Sequence, residues 1–137
     1  MIDNYKQYET QLADVACLHE HLELHFPAIM QACTEVSIER GWWPIVYDAV
    51  AKISKFQHLD NSIQISQIKE KFGGLRFYYF ASATEAYEAI DAIVHTAVND
   101  TKLCCEACGA SEKVTCSAHG GVWVKNYCDH CHNKRIH

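Results

Sequence analysis

The chain has 137 residues and 15.6 kDa, a size for one domain with a small appended module. With 49% apolar and 21% charged residues and no apolar run near the roughly eighteen residues of a membrane span, it reads as globular, and secretion or membrane insertion is not expected. Residues 1–100 carry 14 acidic and 7 basic side chains, whereas residues 101–137 carry 3 and 5, so neither half has the strongly basic surface of most nucleic-acid binders.

Apolar side chains at Tyr5, Tyr8, Leu12, Val15, Leu18, Leu22, Phe26, Ile29, Cys33 and Val36 step by three and four throughout. That is the period of one buried helical stripe. Pro27 interrupts it without changing its phase, so residues 1–40 read as two helices meeting at Phe26-Pro27, or one kinked helix. Gly41 closes that element, and Trp42-Trp43-Pro44 opens the next, with Ile45, Val46, Ala49, Val50 and Ile53 as its stripe.

Period two follows. Ile63 and Ile65 alternate with polar neighbours, as Leu75, Phe77 and Tyr79 do with Arg76 and Tyr78, so both stretches read as strands. Gly73-Gly74 between them suits a hairpin turn. Ser82 and Glu85 resemble a capping box for a helix with Ala86, Ile90, Ile93, Val94 and Ala97 on its apolar face, running to about Asp100. The expected fold class is α+β: an acidic helical body with a β-hairpin over 1–100, and a separate module over 101–137.

Eight cysteines without an export signal argue for metal before disulfides, and six of them lie beyond residue 103. Cys105-x-x-Cys108 and Cys128-x-x-Cys131 are separated by nineteen residues, so two tight turns can complete the tetrahedron that structural Zn²⁺ prefers. Gly109 fits a knuckle in which backbone N–H groups approach sulfur. A hairpin from Val114 to Val122-Trp123-Val124, turning at His119-Gly120-Gly121, and a short helix after Cys131 complete a treble-clef or zinc-ribbon module. Cys104 is an alternative to Cys105, and His130 or His132 to Cys131. Cys116-x-x-His119 has ligand spacing too, and with His132 or His137 would form a second site; a polar hairpin end is the plainer reading. One closed structural zinc site supports folding and not catalysis.

Weaker patterns remain. His21 and His25 are four apart beside His19, a spacing that binds divalent ions but also describes solvated histidines at a helix edge. The order H-x-E-x-H is not that of zinc proteases. Lys69, Lys71 and Arg76 interleave with Phe72, Phe77, Tyr78 and Tyr79, either to stack on bases while neutralising phosphates or to form a solvent face opposite a buried one. Glu70 in their midst weakens the first reading. Trp42 and Trp43 read as core, with partner binding as the alternative, since exposed tryptophans anchor interfaces. His119, His130 and His132 near a zinc module superficially suggest an HNH nuclease, but the paired acidic and His-Asn pattern is missing.

Gly41-Trp42-Trp43-Pro44, the run Lys69-Glu70-Lys71-Phe72-Gly73-Gly74-Leu75-Arg76-Phe77-Tyr78 and the Cys105/Cys108 knuckle together resemble a group of small phage and prophage proteins. These combine a GWxP helix start, a KEKFGGLRFY hairpin and a C-terminal CxxCG metal-binding tail. The resemblance spans about residues 41–131. The chain departs from the group in ending its tail with Cys128-x-x-Cys131 instead of C-x-x-H, and in its N-terminal forty residues. The resemblance implies a cytoplasmic setting in a bacterial host and a non-enzymatic protein that works by binding another protein, such as an inhibitor of a host defence nucleoprotein of the anti-CRISPR kind. The rival expectation is a nucleic-acid-binding regulator using Lys69, Lys71, Arg76, Lys125, Lys134 and Arg135.

Overall fold

The computed structural model describes residues 5–119 and 123–136. The predicted turn at Gly120-Gly121, Val122 and His137 lie outside the described residues, as do the side chains of His119 and Arg135. Among the described residues the chain mixes helices and strands in the order α1 (Gln7–Leu12), α2 (Leu18–His25), α3 (Pro27–Met30), β1 (Glu35–Ser37), α4 (Trp43–Ser54), β2 (Gln64–Lys71), β3 (Gly74–Phe80), α5 (Thr84–Lys102), β4 (Val114–His119), β5 (Trp123–Cys128) and α6 (Asp129–Ile136). No described helix is long and apolar enough to cross a membrane.

The N-terminal stripe is real, and α2 gives way to α3 at Phe26-Pro27 as expected; but a further break at Ala13–Cys17 divides the first helix, and Val36 sits in a strand. β1 pairs in parallel with β2, Val36 opposite Ile68, so part of the segment read as a helical extension completes the sheet. Leu12, Leu18, Leu22, Ile29 and Met30 still face one core, because each short helix packs against the body independently.

The sheet order is β1-β2-β3. The hairpin turn is one residue earlier than expected: Phe72 (φ 55°) and Gly73 (φ 79°) make it, and Gly74 starts β3. Two successive positive φ values match the right-handed twist of the flanking strands. A bulge between Ile65 and Gln67 shifts the phase of β2, so Ile65 and Ile68 both reach the core with Leu75 and Phe77. α4 and α5 cover that inner face; Ile45, Val50, Ile53, Ile90 and Val94 fill the space between. Burying five such aliphatic side chains contributes roughly 1.5–3 kcal/mol each before chain entropy is counted.

The cap of α5 differs from the sequence reading. Ala83 is the N-cap, and no side chain of its own segment caps the helix. Asp60, from the turn after α4, accepts N–H bonds from Ser82 and Ala83 at 2.7 Å each and from Ser62 at 2.9 Å. The Ala83 N–H and then the Ser62 hydroxyl hold this carboxyl well below the usual range, against its burial. A depressed folded value stabilises the protein above about pH 4, and that contribution fades as acid protonates the group. Asp60→Asn is therefore expected to lower the melting temperature at neutral pH and flatten its decline below about pH 4. An unaltered acid limb in a pH series of melting curves would refute that role.

Candidate metal centre

The C-terminal segment is built from a knuckle, a hairpin and a helix. Cys105 donates its N–H to Ala110 O (2.8 Å) and Gly109 donates to Cys105 O (3.0 Å), closing a turn with Gly109 at φ 83°. β4 and β5 pair antiparallel from Val114↔Cys128 to His119↔Trp123, which brings the second cysteine pair beside the first. α6 begins at Asp129, earlier than expected, so Cys131 lies in its first turn.

The Sγ atoms of Cys105, Cys108, Cys128 and Cys131 lie within 4.8 Å of one another, Cys108 and Cys128 at 3.7 Å. A tetrahedron with metal–sulfur bonds of about 2.3 Å has edges of about 3.8 Å, so the four residues can hold a metal ion as they stand. The Ala110 N–H bonds Cys108 and the Cys131 N–H bonds Cys128, as a knuckle requires. Burial pushes the Cys108 and Cys131 thiols up. Burial also raises Cys128, but the Cys131 N–H and the neighbouring thiols outweigh it and hold Cys128 down. Cys128 is thus the thiol whose neighbours most favour the thiolate form; a divalent cation would stabilise all four as thiolates.

The alternatives fall elsewhere. Cys104 is buried in the body core, its thiol donating to Gly41 O (3.5 Å) and Gly109 O (3.4 Å), and burial pushes it up to about 12. His130 and His132 are not part of the cluster. Cys116 lies against the β2–β3 turn, its Sγ 3.6 Å from Phe72 O. The His21 and His25 rings lie 4.3 Å apart, tilted to each other, beside Tyr47, and His19 sits 3.7 Å from Glu23; no set of three metal-ligating groups forms there among the described residues.

Both tryptophans are buried in the core cluster, the first of their two readings, and this burial counts against the partner-binding alternative. Trp42 is fully buried and donates its Nε1–H to Cys104 O at 2.9 Å. Trp43 is 9% exposed, donates to Ile38 O at 3.3 Å and carries the Arg40 guanidinium 4.1 Å above its ring. Neither presents a free face. Of the basic residues, Arg76 and Lys71 are exposed, and Lys69 and Tyr78 lie on the outer side of the sheet, Lys69 Nζ 6.0 Å from the Tyr78 ring.

Sequence reasoning missed the charged cluster that joins the two halves. Glu106, between the knuckle cysteines, is fully buried, and its Oε2 accepts the Asn126 N–H at 2.6 Å. Lys125 Nζ donates to Glu70 at 2.7 Å and lies 3.6 Å from Glu106 and 3.9 Å from Glu39, which accepts the Tyr127 hydroxyl at 2.6 Å. Burial pushes Glu106 up to about 7, with Glu70 and Glu39 adding to the rise and the Asn126 N–H and Lys125 opposing it. Lys125→Met would leave three converging carboxylates without their cation and is expected to cost about 2–4 kcal/mol. Adding Glu106→Gln should recover part of that loss in urea denaturation. A single variant with unchanged stability would refute the clamp. Compared with known proteins, the chain finds no matching family model, curated protein or solved structure.

Proposed function

We propose that the chain is a zinc-stabilised protein that works by binding and not by catalysis. The observation that carries this is the cluster of four sulfurs within 4.8 Å, a complete ligand set that leaves a metal no open position for water or substrate. A tetrahedral all-thiolate set favours zinc among common divalent ions, and the knuckle–hairpin–helix order supports a treble-clef reading of the module. The metal's task is to hold the knuckle and the hairpin as one piece against Gly41, Trp42 and Glu70.

The partner reading is a host nucleoprotein, with the chain acting as an inhibitor in the bacterial cytoplasm. Its support is the resemblance to small phage proteins and the acidic body, whose α5 exposes Glu85, Glu88 and Asp91. An acidic surface can occupy a basic channel built for nucleic acid. Affinity capture from bacterial lysate tests it, with and without nuclease treatment and with a Cys128→Ser control. A defined protein retained after nuclease and lost in the control supports the inhibitor reading; capture of nucleic acid alone refutes it.

A further inference from the structure

From the outer face of the β1-β2-β3 sheet, and resting on the reading that this chain works by binding, we propose that Arg76, Tyr78 and Phe80, with Lys69 and Lys71, form a platform for single-stranded nucleic acid. The antiparallel register places Lys69 opposite Arg76 and Gln67 opposite Tyr78. Leu75 and Phe77 are buried on the inner face, so the intervening positions of β3 point outward, where Arg76 is exposed, Tyr78 is 48% exposed and Phe80 is 58% exposed.

Glu70 counts against this surface only in the sequence. In the fold it turns to the inner side and binds Lys125 at 2.7 Å, which removes the one carboxylate that interrupts the basic run. Glu35 on β1, 3.9 Å from Lys69, offsets one charge, and Lys69, Lys71 and Arg76 leave the face positive on a chain of net −5. Phe72, 68% exposed at the turn, extends the row.

The spacing and chemistry of this face favour a single strand over a protein or a duplex. Tyr78 and Phe80 are alternate residues of one strand, about 7 Å apart, a spacing at which successive unstacked bases can each lie on a ring. Lys69 and Arg76 flank the rings, where phosphates of such a strand would run. The neighbouring outward positions, Gln67, Lys69 and Arg76, are polar or charged, whereas a protein interface centres on an apolar core. Bases stacked inside a duplex cannot reach exposed rings.

Fluorescence anisotropy with labelled single-stranded DNA and RNA of about 12 nucleotides, within the span such platforms cover, tests the proposal on the full chain. Binding is expected at low salt, with a log–log salt slope of about −2 from three cations. Tyr78→Ala and Phe80→Ala should each cost about tenfold, Arg76→Glu at least as much, and Tyr78→Phe little, because stacking survives. All three positions are exposed, so melting and zinc content should match the parent chain. No binding, equal binding to a duplex of the same length, or affinity unmoved by the alanine variants would overturn the proposal. So would a captured protein whose binding is lost in the same variants while the strands are not bound. A parent chain that binds strands but retains no zinc would refute the metal reading and leave this one standing.

Discussion

Serine at Cys105 or Cys128 is expected to abolish stoichiometric metal retention and to unfold the segment from about Leu103 onward. Binding of a structural zinc contributes on the order of 10 kcal/mol to the folding of a small module, and a site of three thiolates and a hydroxyl forfeits most of it. Its contacts with the body depend on the knuckle and hairpin being in place, and its own apolar core is small. Among the described residues its own apolar core is Cys105, Tyr127, Cys128 and Cys131, with Ala107, Ala110 and Val114 packed beside them, so three of these four buried members are ligands. A tail of this size lacks the buried area to fold unaided.

The body should survive the same change, because its core runs from Tyr5 to Cys104 and includes none of the four ligands. Metal analysis and limited proteolysis check both halves of the expectation. A resistant fragment ending near Lys102, with the tail digested, is the expected pattern for either variant and for the chelated parent chain. One metal per chain and an unchanged melting curve in either variant would overturn the assignment of these cysteines.

Gly41→Ala should also be strongly destabilising, although Gly41 is far from the ligands in sequence. Its N–H donates to Glu106 O at 2.7 Å, and a Cβ there would stand 2.6 Å from Glu106 O and from Gly109 N, and closer still to Cys105 O. All three are backbone atoms of the knuckle, so relief requires moving the turn that carries Cys105 and Cys108. The expected cost is roughly 3 kcal/mol or more, with weakened metal retention. Gly74→Ala makes the control: the nearest atom to its new Cβ is Lys71 O at 3.5 Å, ordinary contact. Its cost should stay below about 1 kcal/mol. Equal melting temperatures for the two variants would mean that the knuckle does not dock on Gly41.

Gly41, the hairpin and the CxxCG tail are far apart in the sequence, and the structure brings them together. Gly41 seats the knuckle, Trp42 bonds Cys104 O, Lys125 meets Glu70 from the hairpin, and Cys116 lies on the Phe72-Gly73 turn. Asn126 adds side-chain bonds to the carbonyls of Thr101, Lys102 and Cys104, where α5 ends. The three segments, separate in sequence, are three sides of one junction.

The sequence by itself determined the features whose physics is local. Chelating turns need cysteines two residues apart, so both pairs were legible from spacing alone. The inner and outer faces of β3 followed from alternation, and the apolar face of α5 from its helical period. Tertiary structure alone decided what depends on partners distant in the chain. The parallel pairing of β1 with β2 joins residues that share no local signal, and the steps of three and four through residues 13–17 masked the breaks before it. Asp60 capped α5 from twenty-odd residues away, displacing the local Ser82 signal. Alternation between Lys69 and Lys71 already turns Glu70 to the inner side, opposite Leu75, but only the fold supplies Lys125 to neutralise it there beside the buried carboxylate of Glu106. Periodicity reports which face of an element is apolar, whereas charge pairing and backbone contact across elements depend on where those faces meet.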